Sequence, residues 1–315
     1  MLTLFPPHVS RAVAALDVSL PLGIALPELP ELLNRTIATG GKRLRPALLF
    51  LLADLFDVSS MRATPYARAA ELLHAATLVH DDVVDEALVR RGRPTVNAET
   101  TNARAVLAGD LLLSRVIGEM AALGDVVALR GLSDTLEMLV DGEWRQLGAR
   151  GRIDVTREEL EITAQRKTAS LMEWCCWVPA LLSEESTATQ ERCRELGRIV
   201  GLAFQMKDDE LDFSRSGEKP FAQDLRDGLI NFLTVELLEI DSSLTAKLAP
   251  LLGKADITDW PWTETQLTEA KQRVRKRVEL SLARARTILD ELDFPQTSSL
   301  TALQQLIAYL EIRPN

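Results

Sequence analysis

Apolar residues recur at spacings of three and four positions along almost the whole of the 315-residue chain. This spacing places them on one face of an α-helix, whereas a strand needs strict alternation. We find no alternation long enough to predict a strand. The pattern predicts helices at 8–18, 27–39, 43–57, 62–86, 100–123, 128–149, 156–182, 187–213, 229–240, 264–292 and 297–311.

The segments between these helices are short and rich in Gly, Pro, Asp, Asn and Ser, which favour turns. The sequence contains no repeat of fixed period and no low-complexity linker. It predicts one all-α domain over residues 1–315, with a motif-bearing core at about 40–235 and a peripheral helical layer at about 260–315. Long apolar helices must be surrounded by other helices, so we expect a large bundle around a central cavity.

The composition is that of an ordinary globular protein, with 46% apolar and 26% charged residues. The net charge of −10 argues against a general nucleic-acid-binding protein, which needs a basic surface to bind phosphates. The three cysteines form no C-x-x-C pair, so we expect reduced thiols and a cytoplasmic location. We expect neither a signal peptide nor a transmembrane segment, because the N-terminus lacks a basic start and no run of 18 apolar residues occurs.

The stretch VHDDVVDEALVRRG, residues 79–92, combines an acidic cluster with two arginines. On a helix, Asp81 and Asp85 share one face with Cβ atoms about 5–6 Å apart, while Asp82 points partly away. Two carboxylates this close repel each other unless a divalent cation lies between them. Hard oxygen ligands select Mg²⁺ or Ca²⁺, and Mg²⁺ is typically held by one or two carboxylates together with substrate phosphates. The alternative for a single cluster of this kind is a solvated helix end.

The same D-D-x-x-D spacing returns in FQMKDDELDF, residues 204–213, at Asp208, Asp209 and Asp212. Each cluster ends a long apolar helix, so we expect the two clusters to face each other across the cavity. Together they would hold more than one Mg²⁺ ion, and a ligand with several phosphate oxygens would complete the coordination. The pair of clusters is much more specific than either cluster alone.

Basic residues near these clusters indicate the same kind of ligand, because arginine binds phosphate oxygens through a bidentate fork. Any single basic residue is normally a surface charge, but their occurrence with two acidic clusters predicts a polyanionic ligand with an apolar part. The candidates are Arg90 and Arg91 after the first cluster, Lys42 and Arg45 beside a pair of glycines, and Lys167-Thr168 on a later helix.

Six motifs, in this order, resemble those of the trans-isoprenyl diphosphate synthases, or polyprenyl synthetases, and most of all the long-chain enzymes. They are GGKRLRP, LLHAATLVHDDVVDEALVRRGRPT, GDLLLSR, DGEWRQL, RKTASL and GLAFQMKDDELDF, and the match spans roughly residues 40–235. The resemblance implies a single all-α bundle of the isoprenoid synthase type that forms a homodimer. It also implies an enzyme that condenses isopentenyl diphosphate head-to-tail with an allylic diphosphate to give an all-trans polyprenyl diphosphate.

The resemblance assigns roles to individual residues. About three Mg²⁺ ions would be bound by Asp81, Asp85 and Asp208, with Asp82, Asp209 and Asp212 nearby. The allylic diphosphate would contact Arg90, Lys167, Thr168 and Gln205, and Lys219 aligns as a further substrate-binding position. Isopentenyl diphosphate would contact Lys42, Arg45, His74 and Arg91. The residues expected to be catalytic are Asp81, Asp85, Asp208, Lys167 and Arg90.

The expected chemistry needs no nucleophilic side chain. Diphosphate leaves readily only when its growing negative charge is neutralised, which Mg²⁺ does with the help of Arg and Lys. Apolar helix walls keep water from the allylic cation, and the released diphosphate is the family's usual base.

His74 has two other interpretations. A lone histidine is more often structural, and Glu71 with His74 also fits the E-x-x-H pattern of di-iron bundles. A di-iron site needs a second such pair, and the chain has only three histidines, so we discount it.

Product length in this family depends on residues about one turn before the first acidic cluster. Ala76 and Thr77 occupy these positions, and neither is aromatic. We therefore expect a deep apolar tunnel and a product of C20 or longer, unless Leu73 or the GDLLLSR helix closes the tunnel.

The second half of the chain departs from the family pattern of G-K-x-x-G-x-D-L followed by G-K-x-T-x-P. Lys219 and Asp224 still align, whereas Leu229, Asn231 and Leu233 replace the expected lysine, threonine and proline. We expect an active enzyme with altered substrate affinity. Two alternatives remain: a non-catalytic subunit of a heteromeric synthase, and a class I terpene cyclase, whose second metal motif has another form.

Overall fold

The computed structural model describes residues 5–20, 29, 31–34, 43–214 and 220–312. Lys42, Lys219 and most of the predicted helix at 27–39 lie outside these residues, and the described part of that helix is helical.

Most of the described residues are α-helical, which confirms the predicted fold class. Among them, no helix combines the length and apolarity needed to cross a membrane. The helices are α1 (Pro7–Ala15), α2 (Leu44–Leu55), α3 (Ser60–Val84), α4 (Val96–Glu99), α5 (Asn102–Leu123), α6 (Val126–Ala149), α7 (Arg157–Ala164), α8 (Ser170–Leu182), α9 (Thr187–Asp212), α10 (Gln223–Arg226), α11 (Phe232–Ile240), α12 (Leu244–Leu248), α13 (Glu264–Glu291) and α14 (Ser298–Ile312).

The longer helices end within a few residues of their predicted bounds. The prediction missed α4, α10 and α12, which are too short to show a periodic pattern. The helix predicted at 156–182 is one helical run, but it contains a π-helical turn at Gln165–Ala169 between α7 and α8. One added residue hardly changes the apolar spacing, so the pattern does not reveal this turn.

The expectation that the chain contains no strand is wrong at one place. β1 (Val89–Arg90) and β2 (Arg93–Pro94) pair in an antiparallel hairpin directly after the first acidic cluster. The two turn residues between them, Arg91 and Gly92, have φ values of 53° and 72°. Positive φ at both positions is the requirement of a type I′ turn, for which glycine is suited at the second position. Strands of two residues are too short to show alternation.

The backbone forms two compact units. The first comprises residues 1–132, 175–186 and 295–302, and the second comprises 133–174, 187–294 and 303–315.

In the first unit, α3 packs against α2 and α5. α2 is the core of this unit, because almost all of its side chains are buried, including Leu48 and Leu52. Burying a leucine side chain stabilises a fold by about 1.5–3 kcal/mol. α3 begins after Ser59, whose hydroxyl accepts a hydrogen bond from the Arg62 N–H, and its last turn carries Asp81. The core thus fixes the end of α3 on which the first acidic cluster lies.

In the second unit, α9 packs against α13, α11 and the π-helical turn. Glu210, only 3% exposed, lies within the second acidic cluster. Its carboxylate pairs with Lys207 Nζ at 2.6 Å and with Arg275 Nε on α13 at 2.6 Å. The pair with Lys207 lies within α9, whereas the pair with the half-exposed Arg275 connects the end of this helix to α13.

Candidate active site

The first acidic cluster lies at the C-terminal end of α3. The helix ends at Val84, and the N–H of Asp85 donates a hydrogen bond to the Asp81 carbonyl oxygen at 2.8 Å. Asp81 and Asp85 are therefore one turn apart on the same side of the chain, as predicted. Asp81 is partly exposed and Asp85 is exposed. Both carboxylates are accessible to a ligand from solvent.

Asp82, the middle member of this cluster, is in a different environment. It is only 2% exposed, and its Oδ1 accepts a hydrogen bond from Arg90 Nε at 2.7 Å. Burial raises the pKa of Asp82, and the positive charge of Arg90 opposes that rise. Arg90 belongs to the hairpin, so this ion pair ties β1 back to the end of α3. Sequence reasoning placed both residues at the site but gave no signal that they bind each other.

His74 is close enough to Arg45 and Arg91, two other residues predicted to bind isopentenyl diphosphate, for their charges to affect its pKa. Desolvation holds the pKa of His74 well below its ordinary value, and the charges of Arg45, Arg91 and Arg90 lower it further. His74 is therefore a neutral imidazole at neutral pH. Burial raises the pKa of Glu71, opposed mainly by Arg45. The fourth predicted residue, Lys42, lies outside the described part of the chain.

The residues predicted to set product length lie on α3, two turns or less before Asp81. Leu73 and Ala76 are buried, at 1% and 0% exposure. Thr77 is partly exposed, and its hydroxyl donates to the His74 carbonyl oxygen at 2.8 Å.

The second acidic cluster lies at the C-terminal end of α9. Asp208 is partly exposed, whereas Asp209 is 6% exposed. Asp209 accepts hydrogen bonds from Gln205 Nε2 at 2.8 Å and from the Phe232 N–H at 3.0 Å. Burial, and after it the charge of Asp224, raises the pKa of Asp209 well above its ordinary value.

Asp212 connects the end of α9 to α10. Its two carboxylate oxygens accept hydrogen bonds from the backbone N–H groups of Gln223 at 3.0 Å and Asp224 at 3.1 Å. These are amides of the first turn of α10, which have no partner within the helix. Asp212 therefore has a capping role that the D-D-x-x-D spacing did not indicate.

Lys167 and Thr168 occupy the centre of the π-helical turn. Lys167 Nζ pairs with the carboxylate of Glu143 on α6. The Thr168 hydroxyl donates to Gln205 Oε1 at 2.7 Å. Thr168, Gln205 and Asp209 thus form one hydrogen-bonded chain within the second unit.

Asn231 replaces the expected threonine and has two structural contacts. Its Oδ1 accepts from the Thr234 N–H at 3.0 Å, which caps the N-terminus of α11. Its Nδ2 donates to Asp224 Oδ2 at 2.8 Å. Leu229, which replaces the expected lysine, is partly buried, and its N–H donates to the Asp224 carbonyl oxygen at 2.7 Å. The departures from the family pattern thus lie against Asp224, next to the second acidic cluster.

The side chains fit a Mg²⁺ ion that shares its coordination with a ligand. Within the described ranges, no three metal-binding side chains gather into one site. Mg²⁺ does not need such a cage, because it is usually held by one or two carboxylates, waters and substrate phosphates. The partly exposed carboxylates of Asp81, Asp85 and Asp208 are the hard oxygen donors that it prefers.

Comparison with known proteins identifies the family. A family model described as polyprenyl synthetase matches residues 26–260 of the chain. Heptaprenyl diphosphate synthase component 2 of Geobacillus stearothermophilus is 32% identical over 279 residues, covering 87% of this chain and 86% of that protein. The geranylgeranyl diphosphate synthase of Methanosarcina mazei is 33% identical over 258 residues, covering 79% of this chain and 78% of that protein.

Solved structures have the same fold. A decaprenyl diphosphate synthase from Rhodobacter capsulatus superposes with a TM-score of 0.84 at 27% identity, covering 98% of this chain and 96% of that one. A polyprenyl synthase from Caulobacter crescentus in complex with calcium and isoprenyl diphosphate has a TM-score of 0.76 at 26% identity, covering 96% and 93%. The names of these relatives cover products of different length, so they do not fix the product of this chain. The chain belongs to the polyprenyl synthetase family, and it is an all-α prenyltransferase of isoprenoid biosynthesis.

Proposed function

We propose that this chain condenses isopentenyl diphosphate head-to-tail with an allylic diphosphate to give an all-trans polyprenyl diphosphate of C20 or longer. The observation that carries the proposal is a difference in solvent exposure between the first two aspartates of each acidic cluster. In each cluster the first aspartate, Asp81 or Asp208, keeps access to solvent, while the second, Asp82 or Asp209, is buried in internal hydrogen bonds. A purely structural cluster would have no reason to repeat this arrangement at the ends of two long helices.

Asp81, Asp85 and Asp208 are the residues that would hold Mg²⁺ at the diphosphate of the allylic substrate. Bound there, Mg²⁺ neutralises the negative charge that grows on the diphosphate as it leaves. A relative whose structure contains calcium and isoprenyl diphosphate supports a divalent cation together with a diphosphate ligand.

Lys167, Thr168, Gln205 and Arg90 bind the oxygens of the same diphosphate. Arg90 uses Nε for Asp82, and the guanidinium retains its other N–H donors for a phosphate. The ion pair with Asp82 also holds the arginine in place, so less side-chain entropy is lost on binding.

Arg45, Arg91 and His74 bind isopentenyl diphosphate, together with Lys42 from outside the described residues. Lys219, also outside them, is a further substrate-binding position. Because His74 is neutral, it offers one N–H donor and keeps its other nitrogen as an acceptor. The two arginines supply the positive charge. The apolar walls keep water from the allylic cation, and the released diphosphate takes the final proton.

Small side chains at Ala76 and Thr77 support a product of C20 or longer, because neither position carries an aromatic ring that would block a growing chain. Exposed apolar residues on α5 support a homodimer, since Leu107 is 65% and Ile117 is 53% exposed. The mass of the protein in solution, measured by light scattering, tests the dimer.

Turnover by the purified chain tests the function. The assay combines isopentenyl diphosphate, Mg²⁺ and either farnesyl or geranylgeranyl diphosphate, and mass spectrometry measures the product. We expect elongated diphosphates of C20 or longer. If no allylic primer is elongated, the proposal is wrong, and a cyclised hydrocarbon would identify a terpene cyclase instead.

A second candidate is a component of a heteromeric synthase. Leu229 in place of a phosphate-binding lysine favours it, and one relative is named as the second component of a synthase. Activity of the chain alone excludes this candidate, whereas activity only after addition of a partner protein establishes it.

A further inference from the structure

The π-helical turn that carries Lys167 and Thr168 is an unusual element. It spans Gln165–Ala169 and closes with a hydrogen bond from the Ser170 N–H to the Gln165 carbonyl oxygen. π-Helical turns are rare and occur frequently at functional sites. The wider backbone must fit between its neighbours, and two glycines make this possible.

Gly142 on α6 makes room on one side of the turn. A Cβ atom at this position would lie 2.5 Å from the Lys167 nitrogen and 2.9 Å from the Lys167 Cα. Real Cβ atoms essentially never approach other atoms within 3.0 Å, and these are backbone atoms that cannot rotate away. Any residue larger than glycine at 142 therefore displaces the backbone of Lys167.

Gly201 on α9 makes room on another side. A Cβ atom here would lie 2.4 Å from the Ala169 Cα and 2.6 Å from the Ala169 Cβ. Ala169 is fully buried, so the turn has no free space into which it can retreat.

The helix that carries each glycine also carries the partner of one functional side chain. Glu143, next to Gly142, pairs with Lys167 Nζ. Gln205, one turn after Gly201, accepts the hydrogen bond of the Thr168 hydroxyl at 2.7 Å. Each glycine thus sets the distance between the turn and a neighbouring helix. That distance decides how the partner on the helix contacts Lys167, in the case of Gly142, or Thr168, in the case of Gly201.

We infer that Gly142 and Gly201 are positioning residues for the diphosphate-binding pair Lys167 and Thr168, an inference that rests on the proposed function. A displaced turn moves the ammonium and hydroxyl groups away from the phosphate oxygens. It leaves the separate isopentenyl diphosphate residues, such as His74 and Arg45, untouched.

The test uses Gly142→Ala and Gly201→Ala, with Gly197→Ala as the matched control. A Cβ atom at Gly197 meets equally close backbone, 2.5 Å from the Met172 carbonyl oxygen, but this contact is with α8 instead of the turn. Calorimetry measures the Kd of each variant for inorganic pyrophosphate in the presence of Mg²⁺. Steady-state kinetics measures KM separately for the allylic diphosphate and for isopentenyl diphosphate.

We expect Gly142→Ala and Gly201→Ala to weaken pyrophosphate binding and raise the allylic KM by about tenfold, since a displacement of about 1 Å has large effects on a positioned group. The KM for isopentenyl diphosphate should stay within about twofold, because its residues do not move. Gly197→Ala should lower Tm to a similar extent with a Kd close to that of the unaltered chain. If Gly197→Ala weakens binding as much as Gly201→Ala does, or if the two test variants bind normally, the inference is wrong.

Ala169→Gly alters the same contact through its other partner. It keeps the test decisive if Gly142→Ala and Gly201→Ala do not fold. It removes the methyl group that lies against Gly201, and we expect a loosened turn and pyrophosphate binding weaker by about threefold. A normal Kd for Ala169→Gly contradicts the inference. If the unaltered chain binds pyrophosphate but elongates no primer, the proposed reaction fails while these comparisons still decide the role of the glycines.

Discussion

At the scale of single residues, Asp81 and Asp82 are adjacent in the sequence but lie in different environments, since Asp81 is partly exposed and Asp82 is 2% exposed. The D-D-x-x-D spacing correctly places Asp81 and Asp85 one turn apart, because helical geometry fixes that distance. The spacing cannot predict that Asp82 binds Arg90, because that contact depends on the hairpin that brings Arg90 back to the end of α3. The replacement at Asn231 looked like a loss, but Asn231 caps α11 and bonds to Asp224.

Asp81 and Asp82 are adjacent, and we expect opposite consequences from their substitution. Asp81→Asn should leave Tm almost unchanged but raise the Mg²⁺ concentration for half-maximal turnover and lower kcat by about 100-fold. Asp82→Asn should lower the free energy of unfolding by about 1–3 kcal/mol, because Arg90 loses its buried partner. Urea unfolding and Mg²⁺ titrations of both variants distinguish these roles. These roles are contradicted if Asp81→Asn and Asp82→Asn change the Mg²⁺ dependence of turnover to the same extent and have the same free energy of unfolding.

His74 links stability to pH. Desolvation and neighbouring arginines hold its pKa well below the ordinary value of 6.5. The unfolded chain therefore binds a proton at His74 that the folded chain excludes, and the free energy of unfolding falls as pH drops below 6.5. We expect Tm of the unaltered chain to fall more steeply than that of His74→Gln between about pH 7 and about pH 5. Identical slopes of Tm against pH for the two proteins would show that the folded protein binds a proton at His74 as readily as the unfolded chain does.

Thr77 tests the determinant of product length. Thr77→Phe places an aromatic ring at a partly exposed position one turn before Asp81, and we expect shorter products. Thr77→Val is the control, since it removes only the hydroxyl that donates to the His74 carbonyl oxygen. Mass spectrometry of the products makes the comparison, and an unchanged product distribution for Thr77→Phe would place the floor of the tunnel elsewhere.

At the scale of secondary-structure elements, periodicity predicted the long helices because each buries one apolar face. It did not predict the π-helical turn or the hairpin. The turn depends on close backbone packing at Gly142 and Gly201, and the hairpin depends on positive φ at Arg91 and Gly92. Both features are decided by local geometry that leaves almost no trace in the apolar pattern, and both adjoin residues of the candidate site.

Gly109 shows how one such contact controls the packing of α3 on α5. A Cβ atom at Gly109 would lie 2.1 Å from His80 Nε2, and this nitrogen is 3.1 Å from the Val106 carbonyl oxygen. We expect Gly109→Ala to lower the free energy of unfolding by about 1 kcal/mol, because the partly exposed histidine ring must turn aside and leave the Val106 carbonyl oxygen. His80→Ala in the same chain should restore part of that loss, because it removes the clashing ring.

A double-mutant cycle on thermal unfolding measures this effect. The prediction is a coupling free energy of about 0.5 kcal/mol or more between positions 80 and 109. Additive effects of Gly109→Ala and His80→Ala would mean that the His80 ring does not cause the loss of stability in Gly109→Ala.

At the scale of the whole molecule, the order and spacing of six motifs predicted both the family and the fold. The chain has 46 acidic and 36 basic residues, so its net charge is negative. This net charge opposes the binding of diphosphate substrates, which are anions. Binding of anions must therefore depend on a few local positive charges, and a divalent metal ion would add its charge to those of the arginines and lysines. The prediction of C20 or longer does not fix the exact product length, because relatives of similar identity carry the names of shorter and longer products.

The central proposal is that Asp81, Asp85 and Asp208 would hold Mg²⁺ at one and the same diphosphate. A double-mutant cycle on pyrophosphate binding tests it most directly, with Kd measured by calorimetry in Mg²⁺ for the unaltered chain, Asp81→Asn, Asp208→Asn and the double variant. If both aspartates serve one ligand, each substitution weakens binding, EDTA abolishes it, and the double variant departs from additivity by about 1 kcal/mol or more. Strictly additive effects, or normal binding by either single variant, would show that the two clusters do not share a ligand and would contradict the account.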